Sequence, residues 1–133
     1  MKTYVLDSFA MIAFFEDEPG ADRVAEILSA IGRKRARGFM SVINWGEIYY
    51  NTIREAGMEE AEKVMKQFNK HSIQLVDADQ DLTYRAAKLK ATYPVAYADC
   101  FAAALSSKLK ATVVTGDPEF EKLSREVTIC WIT

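Results

Sequence analysis

The chain has 133 residues, 50% of them hydrophobic and 27% charged, and its formal net charge of −2 excludes a strongly basic nucleic-acid-binding protein. Its length suffices for one ordinary domain, residues 1–133, with a buried core. No stretch approaches the roughly 18 apolar residues of a membrane span or the apolar core of a secretion signal, and Cys100 and Cys130 lack metal-site spacing, so we expect a cytoplasmic protein with reduced cysteines.

Apolar periodicity and the breakers glycine and proline predict strands and helices in alternation. In chain order, the predicted elements are a strand at Tyr4–Asp7, helices at Ser8–Asp17 and Ala21–Ile31, a solvated basic loop at Arg33–Arg37, a short strand at Phe39–Met40, helices at Val42–Ala56 (with Ser41 as N-cap) and Met58–Lys70, a strand at Ile73–Val76, a helix at Asp79–Thr92, a helix from Val95 or Asp99 to Lys110, a strand at Thr112–Thr115, a short helix at Asp117–Leu123 and a strand at Val127–Trp131. Strands separated by helices imply an α/β fold whose parallel sheet carries helices on both faces. The functional crevice of such a sheet lies beyond the carboxyl ends of its strands.

Two acids stand at the ends of predicted strands, where this crevice is expected. Asp7 ends the first strand, and Asp117 follows the fourth strand through Gly116. Each can instead be the N-cap of the next helix, and Pro118 strengthens that alternative for Asp117. Because capping and metal binding can share one carboxylate, both acids remain candidates. The nearby Thr115 offers a hydroxyl that could hold a metal-bound water.

Two further acids fall within predicted helices. Asp99 is the more informative, because its helix has no polar face until Ser106, and a buried carboxylate costs several kcal/mol unless a cation or donors satisfy it. The alternative is that Asp99 caps a helix that starts after it. Glu47 lies at the margin of a predicted apolar face, with Asn44 one turn earlier. Its side chain can point either into a crevice or into solvent. That apolar face is formed by Val42, Trp45, Gly46, Tyr49 and Ile53.

Considered together, the four acids favour a metal site. Carboxylates within ~5 Å of one another repel and raise each other's pKa values unless a cation is present. Hard oxygen ligands without neighbouring histidine or cysteine indicate Mg²⁺ or Mn²⁺ rather than zinc. The only histidine, His71, stands in a predicted loop, and the sequence contains no glycine-rich phosphate loop.

Four short segments in this order and spacing resemble the PIN-domain family, and within it the VapC-type toxins of toxin–antitoxin pairs. The segments are Tyr4–Ser8, Ser41–Glu47, Ala98–Leu105 and Val113–Phe120. The resemblance covers essentially the whole chain and implies a three-layer α/β/α sandwich with a short parallel sheet of about five strands. It also implies Mg²⁺- or Mn²⁺-dependent hydrolysis of RNA phosphodiesters. The residues that match the family's acidic positions are Asp7, Glu47, Asp99 and Asp117; the supporting residues are Thr115, Asn44 and Ser8.

On this resemblance, Asp7, Asp99 and either Asp117 or Glu47 would ligate one or two divalent ions. Glu47 or Asp117 would orient or deprotonate the attacking water. Basic side chains at the rim would hold flanking phosphates, and the candidates are Arg33–Arg37, Lys88, Lys90 and Lys108. The resemblance also implies a cognate VapB-like antitoxin and a homodimer. Mild support comes from an aromatic content above that of one small core, in Phe14, Phe15, Trp45, Tyr49 and Tyr50, although core packing explains most of these.

Two other functions are compatible with the sequence. The first is a PIN-like module that binds RNA or a protein without cutting, which a cleavage assay with an EDTA control distinguishes. The second is a phosphoryl-transfer domain with Asp7 or Asp117 as nucleophile. The intact set of acids disfavours the first, and the lack of an obvious lysine beyond a late strand disfavours the second.

Overall fold

The computed structural model describes residues 1–133, the whole chain, as a five-stranded sheet flanked by helices. The elements are β1 (Lys2–Leu6), α1 (Ser8–Phe15), α2 (Ala21–Gly32), β2 (Ala36–Ser41), α3 (Val42–Ala56), α4 (Met58–Phe68), β3 (Ile73–Val76), α5 (Gln80–Thr92), α6 (Tyr97–Leu109), β4 (Thr112–Thr115), a 3₁₀ helix (Pro118–Leu123) and β5 (Thr128–Trp131). All strands pair in parallel, in the order β3-β2-β1-β4-β5. None of the helices combines the length and the apolar character needed to cross a membrane. The predicted α/β class with a short parallel sheet is confirmed.

The central strands bury side chains on both faces of the sheet, because successive strand residues point in opposite directions. In β1, Tyr4 and Leu6 belong to the core beneath α1 to α4, whereas Val5 belongs to the core beneath α5, α6 and the 3₁₀ helix. In β4, Val114 likewise belongs to the core beneath α1 to α4, and Val113 belongs to the core beneath α5, α6 and the 3₁₀ helix. Helices therefore cover both faces, which confirms the three-layer arrangement.

The strand order fixes where a site can form. Because every strand is parallel, the strands end together at one edge of the sheet, which we call the carboxyl edge, and begin together at the other, the amino edge. From β1 the chain continues to β2 on one side, while β4 lies on the other side of β1. The direction of winding therefore reverses between β1 and β4, and crevices open at such switch points.

The structure corrects the prediction at β2. This strand is longer than the predicted Phe39–Met40, because Ala36 and Arg37 pair with Lys2 and Thr3 at the start of β1. The predicted loop Arg33–Arg37 is therefore partly strand. The apolar run on which the prediction relied is short because Arg37 is exposed and the buried Gly38 has no apolar side chain.

The predicted apolar face of α3 is wrong. The buried residues of this helix are Asn44, Ile48 and Thr52, which are spaced one turn apart. Inside the protein, Thr52 donates a hydrogen bond to the carbonyl of Ile48 at 2.7 Å and Asn44 donates one to the carbonyl of Ala98 at 3.1 Å, whereas Oδ1 of Asn44 is buried without a partner. A prediction from hydrophobicity alone therefore turned the wrong face of α3 toward the core.

Replacing each of two glycines with alanine is expected to change the free energy of unfolding, in opposite directions for the two. A Cβ at Gly38 would lie 2.5 Å from Cδ1 of the buried Ile31, so Gly38→Ala should destabilise the fold by about 1–3 kcal/mol through overpacking. A Cβ at Gly46, inside α3, meets no atom within 4 Å, so Gly46→Ala should stabilise it by about 0.5–1 kcal/mol through helix propensity. Urea unfolding of both variants measures the two effects, and a stabilised Gly38→Ala protein would contradict this packing.

Candidate active site

A cavity of about 300 Å³ opens at the carboxyl edge of the sheet. It is lined by Asp7, Ser8, Phe9, Ile12, Glu18, Glu47, Asn51, Ala96, Asp99 and Asp117. All four predicted acids are among these residues, together with a fifth, Glu18, and none of the lining residues is a lysine or arginine. The structure thus brings the predicted acids to one concave and strongly negative surface.

Asp7 is fixed in place where β1 meets α1. It is only 1% exposed, and its Oδ1 accepts a hydrogen bond from the backbone N–H of Ala10 at 2.8 Å, as the N-cap of α1. Its Oδ2 accepts a hydrogen bond from the hydroxyl of Thr115 at the end of β4. Burial, with a smaller contribution from the charges of Asp99 and Asp117, raises the pKa of Asp7 to about 8, against the lowering effect of these two hydrogen bonds.

Asp99 lies in the first turn of α6 and does not cap it. The N-cap is Ala96, which supplies no side-chain hydrogen bond, so the alternative in which Asp99 begins the helix is wrong. The side chain is 9% exposed and no hydrogen bond contributes to its pKa, which burial raises to about 7 with added repulsion from Asp117 and Glu47. Asp99 is therefore a nearly buried carboxylate that the chain itself leaves unsatisfied.

Asp117 is joined to Asp7 through the hydroxyl of Thr115. The backbone N–H of Asp117 donates to Thr115 Oγ1 at 3.0 Å, and that hydroxyl donates its only proton to Asp7. Asp117 also caps the 3₁₀ helix, since its Oδ1 accepts from the backbone N–H of Glu119 at 3.0 Å. That Thr115 holds a metal-bound water stays a prediction: its hydroxyl gives its proton to Asp7 and accepts from Asp117, which leaves one acceptor position for a water that donates.

Glu47 is oriented by the predicted supporting residues. Its Oε1 accepts hydrogen bonds from Ser8 Oγ at 2.8 Å and from Asn44 Nδ2 at 3.3 Å. Its Oε2 accepts only a long hydrogen bond of 3.5 Å from the hydroxyl of Tyr50, a contact that the sequence did not predict. One oxygen of Glu47 is thus held by the fold, and the other is nearly free to act on a ligand.

The donor set fits a hard divalent cation. In the side-chain positions observed, no group of three or more His, Cys, Asp or Glu residues is arranged to hold a metal ion. Carboxylates that repel one another stay apart until a cation screens them, so rotation of the less restrained acids would have to close the site. The observation that supports this is Asp99, a nearly buried carboxylate with charged acidic neighbours and no donor.

Sequence reasoning missed two polar lining residues and misplaced the basic ones. Asn51 stands one turn after Glu47, so helical spacing could have found it, whereas Glu18 lies in an irregular turn and had no comparable signal. None of the predicted rim cations lines the cavity. Lys108 pairs with Asp81 at 3.1 Å, Lys90 donates to the carbonyl of Val95 at 2.7 Å, Lys88 lies over the ring of Tyr84, and Arg33–Arg37 lies at the amino edge.

Asn44 joins two of the helices that carry the acids. Its amide donates both to Glu47 and to the backbone carbonyl of Ala98 beside Asp99. We expect Asn44→Ala to lower the free energy of unfolding by about 1–3 kcal/mol, because it leaves a cavity and an unpaired carbonyl. Asn51→Ala is the matched control, since Asn51 lines the same cavity without such bonds. Equal stability losses in the two variants, measured by urea unfolding, would contradict this role.

The fold and the site define an α/β protein with an acidic cavity at the switch point of a parallel sheet. The family model of the PIN domain matches residues 4–126, and the chain belongs to this family. Among curated proteins, no sequence matches the chain significantly.

Solved structures with the same fold include chains of VapBC complexes. A chain of the DNA-bound VapBC from Salmonella typhimurium matches with a TM-score of 0.77 and 18% identity over 100% of both chains. A chain of VapBC2 from Rickettsia felis, bound to a promoter DNA fragment, matches with a TM-score of 0.76 and 16% identity, over 96% of this chain and 97% of that one. VapC20 of Mycobacterium tuberculosis is described as a toxin that cleaves the sarcin–ricin loop. It matches with a TM-score of 0.71 and 14% identity, over 90% of this chain and 93% of that one. The resemblance to VapC-type chains is confirmed at the level of the fold.

Proposed function

We propose that the chain is a Mg²⁺- or Mn²⁺-dependent endoribonuclease and the toxin of a VapBC-type pair in the cytoplasm. One observation carries the proposal: Asp99 is nearly buried, without a donor, in a cavity lined by five carboxylates and no basic residue. Such a surface repels a polyanion unless a cation lies between them. Membership of the PIN family and the described activity of VapC20 favour RNA as the substrate.

The residues that would hold the ion are Asp99, Asp7 and either Asp117 or Glu47. A bound divalent ion supplies charge stabilisation at the phosphate and a water of lowered pKa. Asp7 contributes rigidity, because hydrogen bonds from Ala10 and Thr115 fix both of its oxygens. Glu47 is the better placed general base, because Ser8 and Asn44 fix its Oε1 while Oε2 is left to accept a proton.

The partners follow from the same proposal. The related chains from Salmonella typhimurium and Rickettsia felis belong to VapBC complexes, which favours a VapB-like antitoxin here. Exposed apolar side chains on α1 and α3, notably Phe9, Ile43 and Tyr50, would suit such a partner or the second copy of a homodimer. Co-expression with a neighbouring small gene product, followed by light scattering, tests both assemblies.

A cleavage assay tests the activity. We expect the purified chain to cut a labelled structured RNA in Mg²⁺ or Mn²⁺, to lose that activity in excess EDTA and to regain it when the ion is restored. Cleavage that continues unchanged in EDTA would contradict a metal-dependent mechanism. Binding of RNA without cleavage in Mn²⁺ would instead identify the chain as a non-cutting PIN module.

A further inference from the structure

The amino edge of the sheet, opposite the acidic cavity, carries a concentration of basic side chains. They stand at the start of β1 and β2, in the turn between α2 and β2, and just before β3 and β4: Lys2, Arg33, Lys34, Arg35, Arg37, Lys70 and Lys110. All of them are exposed. They are seven of the 17 lysines and arginines in a chain with a net charge of −2, so positive charge is segregated to this edge.

These side chains have no acidic partners. The ion pairs of the chain lie elsewhere, between Arg23 and Glu26, between Asp81 and the pair Arg85 and Lys108, and between Lys122 and Glu119. The one contact within the set is that of Lys2, whose Nζ lies 5.4 Å from the centre of the Tyr4 ring. No carboxylate of the chain therefore forms an ion pair with these side chains.

Helix capping explains only part of the cluster. Helices favour cations at their C-terminal ends, and Arg33 and Lys110 are the C-cap residues of α2 and α6. Lys2 and Arg37, however, stand on the paired strands β1 and β2, one residue out of register, since Lys2 pairs with Ala36 and Arg37 with Thr3. The dipoles of the helices give no reason for cations at these two positions.

The cations span the width of the sheet edge. The strand order places Lys70, Arg37, Lys2 and Lys110 on four adjacent strands or two to three residues before them, across roughly 14 Å at about 4.8 Å per strand. Because Lys2 pairs with Ala36 and Arg37 with Thr3, their side chains leave opposite faces of the sheet and flank the edge on both sides. Along this edge lies a groove of about 380 Å³ whose lining includes Lys34, Arg37, Ser72 and Gln74.

We propose that the amino edge binds the phosphate backbone of RNA. An anionic membrane is disfavoured, because peripheral binding needs apolar side chains that insert, and among the large apolar residues exposed on this chain only Met1 lies at this edge. The site lies at the far end of the strands from the cavity, so it would hold a part of an RNA remote from any cut. The choice of RNA rests on the proposed function, whereas the binding itself needs neither catalysis nor a metal ion.

Binding is tested by fluorescence anisotropy with a labelled 30-nucleotide unstructured RNA in EDTA, where no metal-dependent cleavage occurs. The test variant is Arg33→Gln/Arg35→Gln/Arg37→Gln, and the control, Lys63→Gln/Arg85→Gln/Lys88→Gln, changes the net charge equally elsewhere. We expect the test variant to lose at least tenfold in affinity at 50 mM salt and the control less than threefold. The slope of log K against log salt should fall by roughly 2 in the test variant alone, at about 0.7 per phosphate contact.

Equal losses in the two variants would overturn the proposal, because they would show an effect of net charge alone. Tighter binding of the wild type to phosphatidylserine vesicles or to polyglutamate than to RNA would overturn it too. Circular dichroism of both variants checks that they fold. If the wild type fails to cut RNA in Mn²⁺ while the test variant alone loses RNA affinity, the proposed function fails and the amino-edge site stands.

Discussion

Asp99→Asn is expected to lower the rate of metal-dependent RNA cleavage by roughly 10²- to 10⁴-fold while leaving the fold intact. Asparagine keeps the shape of the side chain but removes the charge that a cation would neutralise. Asp99 should be the most sensitive of the acids, because it is nearly buried and no donor in the chain satisfies it. The measurement is the single-turnover rate of cleavage of a labelled RNA in Mn²⁺, alongside the melting temperature of the variant.

The matched control for this variant is Asp77→Asn. Asp77 follows β3 at the same edge of the sheet, but it is exposed and does not line the cavity. The control should cut RNA at close to the wild-type rate. If Asp99→Asn also cuts at that rate with its fold preserved, the assignment of the site is wrong.

The metal-free protein is expected to lose stability as the pH rises from 5 to 8. Burial raises the pKa of Asp7 to about 8 and that of Asp99 to about 7, so both carboxyls hold protons in the folded state that an unfolded chain releases near pH 4. The folded state binds more protons than the unfolded state across this range, and its stability therefore falls with rising pH until both groups have ionised. At about 1.4 kcal/mol per pH unit and group, Asp7 accounts for a loss of up to roughly 4 kcal/mol between pH 5 and 8, and Asp99 for up to roughly 3 kcal/mol between pH 5 and 7.

A divalent cation should reverse this loss. Millimolar Mn²⁺ is expected to raise the melting temperature more at pH 8 than at pH 5, because it binds the ionised carboxylates of the folded state. Asp99→Asn should flatten the pH dependence, since it removes one of the two titrating groups. A melting temperature that is independent of pH in EDTA, or a Mn²⁺ effect of equal size at both pH values, would contradict the proposed electrostatics of the cavity.

The sequence was sufficient to predict the sheet and the acids at its edge. Val5 and Leu6 before Asp7, and Val113 and Val114 before Thr115, are short apolar runs that end in polar residues, and parallel strands bring such ends together. This topology is a strong constraint, so local patterns placed Asp7 and Asp117 correctly beside one another. The alternative of N-capping also held for both, because one oxygen of each caps a helix while the side chain lines the cavity.

Other features could not be predicted because they depend on tertiary packing. The face that α3 buries contains Asn44, whose amide donates across to the carbonyl of Ala98, and Thr52, whose hydroxyl donates to a carbonyl within α3. Hydrophobic periodicity cannot register either hydrogen bond. The position of Glu18 depends on how an irregular turn folds back, with its N–H donating to the carbonyl of Ala13. The basic run was assigned to the rim of the site, but its true position at the opposite edge follows from the pairing of β2 with β1.

A crystal structure of the wild-type protein grown with Mn²⁺ at pH 8, with anomalous diffraction data, tests the central claim most directly. The claim predicts an anomalous peak inside the cavity, bonded to an oxygen of Asp99 and to oxygens of at least two of Asp7, Glu47 and Asp117. An empty cavity in crystals that bind Mn²⁺ elsewhere, with these acids still apart, would contradict it.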